Sequence, residues 1–525
     1  MKENPIKNLS SQVQKNAFLI AGFSILSSFL GMLRDRILAS KFGAGDTLDV
    51  YNAAFNLPDF IYQILIIGGV SSAFVPIFSS YLTKNKKKAF QIASSFFNLI
   101  IITILILSII SYFSAPYILK LLVPGFEGAK FQNTVTLTRI MLLSPIIMSI
   151  SGIFAGILTT FKKFITYSMA PVMYNVGIIT GIYLFSEKWG LLGLGFAVVL
   201  GALLHMLIQL PSAFLSGFRP TISFKLDRKL YLKIRSFIVP RSINMLVNQL
   251  NLIFITIISS TLASGSLSVF KFANNLATIP LTIFGAPFAI AAFADLSFAY
   301  NKQKMKKFNK IFSSTFTQIA FFVIPAAIMI LIFRAQLVRL FFGVGKFDWE
   351  DTTLTLNVLG FLSVSLFFQS VIPLVSRAFF AIHNALIPFL SGVIALCVNV
   401  VLSLYFSKNL GIEGVALGFS ISQIANLTFM LTILYIKIGG FKDHEIASSI
   451  VKICFSALLG GILAYFLKHY LGDRLGTDTF LKIFLQTAIP VGLGGVLYLF
   501  LSWYLGIREI DLVKNKLKKI KEKIK

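Results

Sequence analysis

FFNLIIITILILSIISYF, Phe96–Phe113, carries no charged residue over a length that nearly crosses a bilayer when wound as a helix. Its polar residues are isolated, and it lacks the strict alternation of a barrel strand. Similar runs recur along the 525 residues, of which 56% are hydrophobic and only 13% charged. With a mean hydropathy of +0.83, these values exclude a soluble multidomain chain and place the protein in the membrane. The first apolar run, from Ala17 to Leu33, has no small-residue cleavage site and reads as the first spanning helix rather than a leader.

Hydropathy and helix breakers give about fourteen spans. In the first half they run near 17–40, 50–81, 89–115, 134–160, 165–186, 190–217 and 232–262. The second half gives 268–297, 311–334, 353–382, 386–407, 411–437, 446–468 and 480–506. The net charge of +28 would suit nucleic acid, but its distribution does not. Lysines and arginines gather in alternate connectors: Lys84–Lys88, Lys162–Lys163, Arg219–Arg235, Lys302–Lys310, Lys437–Lys442 and the tail from Arg508. The positive-inside rule makes that side cytoplasmic and puts both termini there, in a cytoplasmic (inner) membrane, with anionic lipid headgroups as their partners. The tail KNKLKKIKEKIK reads as a basic amphipathic helix on the inner leaflet.

An internal repeat sets the domain plan. VYNAAFNL (Val50–Leu57) resembles VFKFANNL (Val269–Leu276), and the same offset carries Tyr81 onto Tyr300, Lys87-Lys88 onto Lys306-Lys307 and Ser94-Ser95 onto Ser313-Ser314. Units six helices apart share one orientation and relate by an axis along the membrane normal. The expected fold is therefore all-α and integral to the membrane, with two pseudo-symmetric six-helix lobes at 1–217 and 218–437. Helices thirteen and fourteen follow (438–507), and then a basic cytoplasmic tail (508–525).

Polar residues inside a span are costly unless they meet a partner or a cavity, so each is a functional candidate. They fall on stripes at helical spacing. One holds Asp49, Asn52, Asn56, Asp59 and Gln63; a second Arg241, Asn244, Asn248 and Asn251; a third Lys271, Asn274, Asn275, Thr278 and Thr282. Ser24, Ser27, Ser28, Gly31, Arg34 and Asp35 make a fourth. Tying helices together accounts for any single residue; four stripes on the first two helices of each lobe argue for a shared hydrophilic path. Its cations, Arg34, Arg241, Lys271 and Arg377 with Arg139 as a further member, suit a phosphate or carboxylate. Pro58, followed by Gly68 and Gly69, marks a bend or gate in the second helix.

Other chemistries find no support. Cys397 and Cys454 lie in apolar runs as small hydrophobes, and His205, His383, His444 and His469 are scattered, so neither metal nor cofactor is expected. No phosphate-cradling nucleotide loop is present, and no cluster of carboxylates or histidines suggests an enzyme.

The blocks LGMLRDRILASKFGAG (Leu30–Gly45) and LPDFIYQILIIGGVSSAFVPIF (Leu57–Phe78) resemble the lipid II flippases, the MurJ/MviN family. PRSINMLVNQLNL (Pro240–Leu252), FGVGKF (Phe342–Phe347) and SRAFFAIHNALIP (Ser376–Pro388) extend the likeness. The resemblance implies the fourteen-helix fold of the multidrug/oligosaccharidyl-lipid/polysaccharide superfamily. It implies movement of an undecaprenyl-pyrophosphate-linked peptidoglycan precursor, lipid II, to the outer leaflet. With no nucleotide loop, membrane potential or a coupling ion is the expected drive. Arg34, Asp35, Asp49 and Arg377 match family positions. Ser28, Tyr62-Gln63, Ile67 and Asn274-Asn275 depart from it, since many members carry charged residues there. That leaves Arg241, Lys271 and Arg377 as compensating cations, with Asn52 and Asn248 beside them, and keeps another lipid-linked oligosaccharide as the alternative substrate. A multidrug antiporter fits the cationic stripes less well.

Overall fold

The computed structural model describes residues 5–63, 74–222, 246, 249–441, 443–476 and 479–511, with side chains of the first helix from Leu19. Every regular element among them is helical, so the all-α expectation holds. The chain forms two compact units, Met1–Ser268 and Val269–Lys525.

The first unit begins with α1 (Pro5–Phe42), α2 (Asp46–Ala54), α3 (Asn56–Tyr62) and α4 (Val75–Leu82). It continues through α5 (Lys86–Leu122), α6 (Gly128–Met141), α7 (Leu143–Thr160) and α8 (Phe164–Leu215). Next come α9 (Gln249–Ser260) and the first turn of α10 (Ser266–Ala277). The second unit holds the rest of α10, a π-helical turn at Leu281–Gly285, α11 (Ala286–Asn301), α12 (Met305–Phe341), α13 (Trp349–Val364) and α14 (Leu366–Ala381). It ends with α15 (Leu386–Ile438), α16 (Asp443–Leu475) and α17 (Phe480–Tyr504).

Eight helices among the described residues are long and apolar enough to cross a membrane, and nine if α13 and α14, bent by 45°, count as one span. Two of them are double length. At 52 and 53 residues, α8 and α15 would each reach about 80 Å if straight, nearly twice a bilayer's thickness. Each instead turns back at a glycine of positive φ, Gly190 and Gly411. The arms of α8 then pack so closely that a Cβ on Gly177 would lie 2.6 Å from Gly201 Cα. Both reversals fall at the breaks that hydropathy placed after 186 and after 407.

Prolines interrupt several helices, and each leaves the carbonyl four residues earlier without its usual donor. Pro58 frees Ala54, and the helix breaks there at Phe55, between α2 and α3, where hydropathy alone reads one continuous span. Thr138 Oγ1, from α6, donates to the Ala54 carbonyl at 3.5 Å. Pro116 inside α5 frees Tyr112, whose carbonyl accepts from Arg139 Nε at 3.1 Å. Pro325 inside α12 frees Phe321, which accepts from Tyr498 Oη at 2.7 Å. In hydrocarbon an unmet carbonyl costs several kcal/mol, so side chains from neighbouring helices fill the gaps.

Each unit has its own apolar core. In the first, Phe74, Phe78, Phe96, Phe154 and Phe218 interlock. In the second, Phe321 and Tyr498 pack with Ile507 and Ile510 of the chain that follows α17.

Candidate functional site

The cation on α1 does not stand alone. Arg34 Nε and Nη2 donate to Asp35 Oδ1 at 3.0 and 2.8 Å, and Nη1 to Asn175 Oδ1 at 3.2 Å. Asn175 is itself oriented, donating through Nδ2 to the Ser27 carbonyl and hydroxyl at 3.1 and 3.2 Å. Tyr51 and Tyr174 lie within electrostatic range of the guanidinium, and Asp59 within range of both tyrosines. The fork is thus held in one plane by a carboxylate and an amide, while the Arg34 side chain stays 22% exposed. A guanidinium fixed in this way can present donors to an anionic group without reorganising. Asn175, Tyr51 and Tyr174 were not singled out from the sequence. Asn175 had a signal, an amide inside an apolar run.

Asp49 is used differently. Its side chain is 2% exposed and takes four donors. Gly265 N (2.8 Å) and Lys130 Nζ (3.1 Å) reach Oδ2; Ser268 N (3.0 Å) and Ser268 Oγ (2.8 Å) reach Oδ1. The carboxylate therefore caps the first turn of α10, where unpaired N–H groups and the helix dipole favour negative charge. Asn52 adds a bond to Ser268 Oγ at 3.2 Å, and Thr256 Oγ1 reaches Asn56 at 3.3 Å. Lys130 also bonds Asp46, which accepts from Ser264 Oγ at 2.6 Å.

Three connectors are drawn together by this knot, at 43–49, 123–130 and 261–268. Their approach is close: a Cβ on Gly265 (φ +86°) would lie 1.8 Å from the Ala44 carbonyl oxygen. Burial opposes ionisation of Asp46, ahead of the spanning stretch. The bonds from Lys130 and Ser264 and the charge of Lys130 nevertheless hold its carboxyl below the usual carboxylate value. Lys130 was also missed, although a lysine on the side poor in basic residues is itself a signal.

The remaining candidates lie on other elements. Lys271 on α10 and Arg377 on α14 are half-buried in the second unit, and Arg377 Nη1 donates to the Pro373 carbonyl at 3.3 Å. Pro58 sits at the α2–α3 break, followed by an exposed Asp59. Arg241, Asn248, Gly68 and Gly69, and the basic tail, lie outside the described residues. Arg139 packs against Tyr112 of α5. Ser151 and His205 form a 2.7 Å pair joined by Gln209. Ser151 is fully buried with no carboxylate in the group, so the trio serves packing rather than nucleophilic chemistry. Among the described residues no group of three His, Cys, Asp or Glu could hold a metal.

The sequence model of the family described as "Lipid II flippase MurJ" matches residues 38–486. The chain belongs to that family. The "Probable lipid II flippase MurJ" of Thermotoga maritima is 27% identical over 471 residues, 89% of this chain and 93% of that protein. Its counterpart in Buchnera aphidicola subsp. Acyrthosiphon pisum is 26% identical over 452 residues, 85% and 88% of the two chains. Among solved structures, "Lipid II flippase MurJ, inward closed conformation" superposes with a TM-score of 0.77 at 25% identity, covering 94% of this chain and all of that one. An inward-facing multidrug resistance MATE transporter of the MOP superfamily gives 0.66 at 17% identity, over 81% and 98%. That second likeness shows the fold alone. Membership in the MurJ family makes this a multi-pass membrane protein of a transporter family.

Proposed function

We propose that the protein is a lipid II flippase, carrying an undecaprenyl-pyrophosphate-linked head group from the inner to the outer leaflet by alternating access, with no covalent step. The observation that carries this reading is the family match across 38–486. The fixed guanidinium of Arg34 supports it, because a diphosphate needs oriented donors rather than a nucleophile. In this reading Arg34 and Asp35 meet the head group, with Arg241, Lys271 and Arg377 as further cations and Asn52 and Asn248 as polar neighbours. The two lobes are 1–217 and 218–437, helices thirteen and fourteen (438–507) guide the lipid tail, and both termini are cytoplasmic. Membrane potential or a coupled ion supplies the drive.

The knot at Asp49 acts as a latch on the outer side. Releasing the head group outward requires the carboxylate to let go of Gly265 and Ser268, and Pro58 with Gly68 and Gly69 gives the second helix room to bend.

A specific observation favours a second reading, a flippase for another lipid-linked oligosaccharide of capsule, teichoic or O-antigen type. Ser28, Tyr62-Gln63 and Asn274-Asn275 stand where many relatives of the resembling family carry charge. Complementation of flippase-depleted cells separates the two. The wild-type chain restores growth and outward lipid II, whereas Arg34→Ala and Arg241→Ala do not. Failure of the wild type rejects the peptidoglycan substrate; full activity of both variants rejects the site.

A further inference from the structure

Arg139 is half-buried in an apolar groove and only part of its guanidinium is used. Nε serves the Tyr112 carbonyl that Pro116 leaves open, and the guanidinium carbon sits 4.8 Å from the Tyr112 ring centroid. Among the described residues its terminal N–H groups have no acceptor. Arg139 lines a cavity of about 610 Å³ between α5 and α6–α7, walled by Ile109, Phe113, Leu143 and Ile146. That volume falls within the usual range of small-ligand pockets, about 300–1,000 Å³.

The rim of the groove is the kind of surface that lipid covers. Only 28% of the most apolar window of α5 is buried inside the protein, against 56% for α6–α7. Apart from Tyr112, the residues α5 exposes around the groove, Ile106, Ile109, Ile110 and Phe113, are all apolar, as a wall of acyl chains requires. Depth follows from the helix rise. The run beyond Gln91 needs about 20 residues to cross the hydrocarbon, which ends near Ser111. Tyr112 and Tyr117 follow, both exposed, where an aromatic belt meets the headgroups. Arg139 is level with that belt, at the end of α5 opposite the Lys84–Lys88 loop.

We infer that this groove binds an anionic phospholipid, its phosphodiester on the free N–H groups of Arg139 and an acyl chain along Ile109 and Leu143. One guanidinium matches the single charge of a phosphodiester; a polyprenyl diphosphate would call for more than one cation. The site is separate from the Arg34 cluster and does not depend on which lipid-linked glycan is carried.

Because Arg139 also completes α5, its removal alone confounds binding with folding. Pro116→Ala restores the backbone donor to Tyr112 and makes the Arg139 contact dispensable for the helix. Native mass spectrometry of the purified full-length protein, titrated with phosphatidylglycerol, phosphatidylcholine or farnesyl diphosphate, reads the site directly. Pro116→Ala retains phosphatidylglycerol like the wild type, Pro116→Ala/Arg139→Gln loses it about tenfold, and Leu143→Trp weakens it with the arginine intact. Four outcomes would each overturn the inference: equal phosphatidylglycerol on the double variant, loss from Pro116→Ala alone, phosphatidylcholine held as well as phosphatidylglycerol, or farnesyl diphosphate held in preference.

Discussion

Asp49 and Arg34 lie in neighbouring segments of the same unit, and the protein uses their charges in opposite ways. Asp49 has spent its whole hydrogen-bonding capacity on a lysine, two backbone amides and a hydroxyl, and is closed off from solvent. Arg34 is held by Asp35 and Asn175 yet remains partly open. A saturated buried charge can only hold structure together or let it go, whereas a steadied but accessible one can meet a ligand. The two stripes that look alike in one dimension therefore separate into a saturated knot and a fixed, partly exposed cation.

The largest effect should come from breaking the latch. Asp49→Ala leaves two amides and a hydroxyl at the start of α10 without their acceptor and takes one of the two carboxylates from Lys130, which keeps Asp46. Unfolding of the purified protein should show a loss of about 3–5 kcal/mol. An unchanged melting curve would remove the structural half of the comparison. Gly265→Ala attacks the same knot through its backbone, forcing a Cβ into the Ala44 carbonyl at a left-handed φ. About 2 kcal/mol or more should be lost in the same assay.

Arg34→Lys tests the other half. It keeps a positive charge beside Asp35 but removes the planar fork, so stability should stay within about 1 kcal/mol of wild type while flipping falls about tenfold. Equal losses of stability and transport would mean that Arg34, too, is a strut.

The smallest effect concerns pH. The Asp46 carboxyl is depressed in the folded protein. Its contribution is complete above the unfolded-state value of about 3.9 and disappears as pH falls through the lower folded value. Wild type and Asp46→Asn should therefore differ by a constant amount from pH 7 to about pH 5, and converge only below about pH 4. Convergence nearer neutrality would contradict the bonding seen at the knot.

Much of the fold is legible in the sequence because membrane insertion writes itself in one dimension. A run such as Phe96–Phe113 needs no partner to declare its burial, and the reversals at Gly190 and Gly411 occur where hydropathy breaks. The cost of burying Arg34, Asp35 and Asp49 is legible for the same reason. What covers that cost is not. Lys130 is 81 residues from Asp49 and Asn175 is 141 residues from Arg34, so their pairing depends on helix packing that no local pattern records. Adjacent residues of α6 make the point sharply. Thr138 fills the buried gap left by Pro58, while Arg139 fills the gap left by Pro116 on the exposed side, and only their directions around the helix tell them apart.

Transport of lipid II can be read by reconstitution. With the purified protein in vesicles carrying lipid II in one leaflet, a membrane-impermeant amine reagent reports how much reaches the other. The wild-type chain should transfer lipid II, Arg34→Lys about tenfold less, and neither should transfer a teichoic- or capsule-type lipid-linked oligosaccharide comparably. Movement of that oligosaccharide while lipid II stays in place would contradict the proposal.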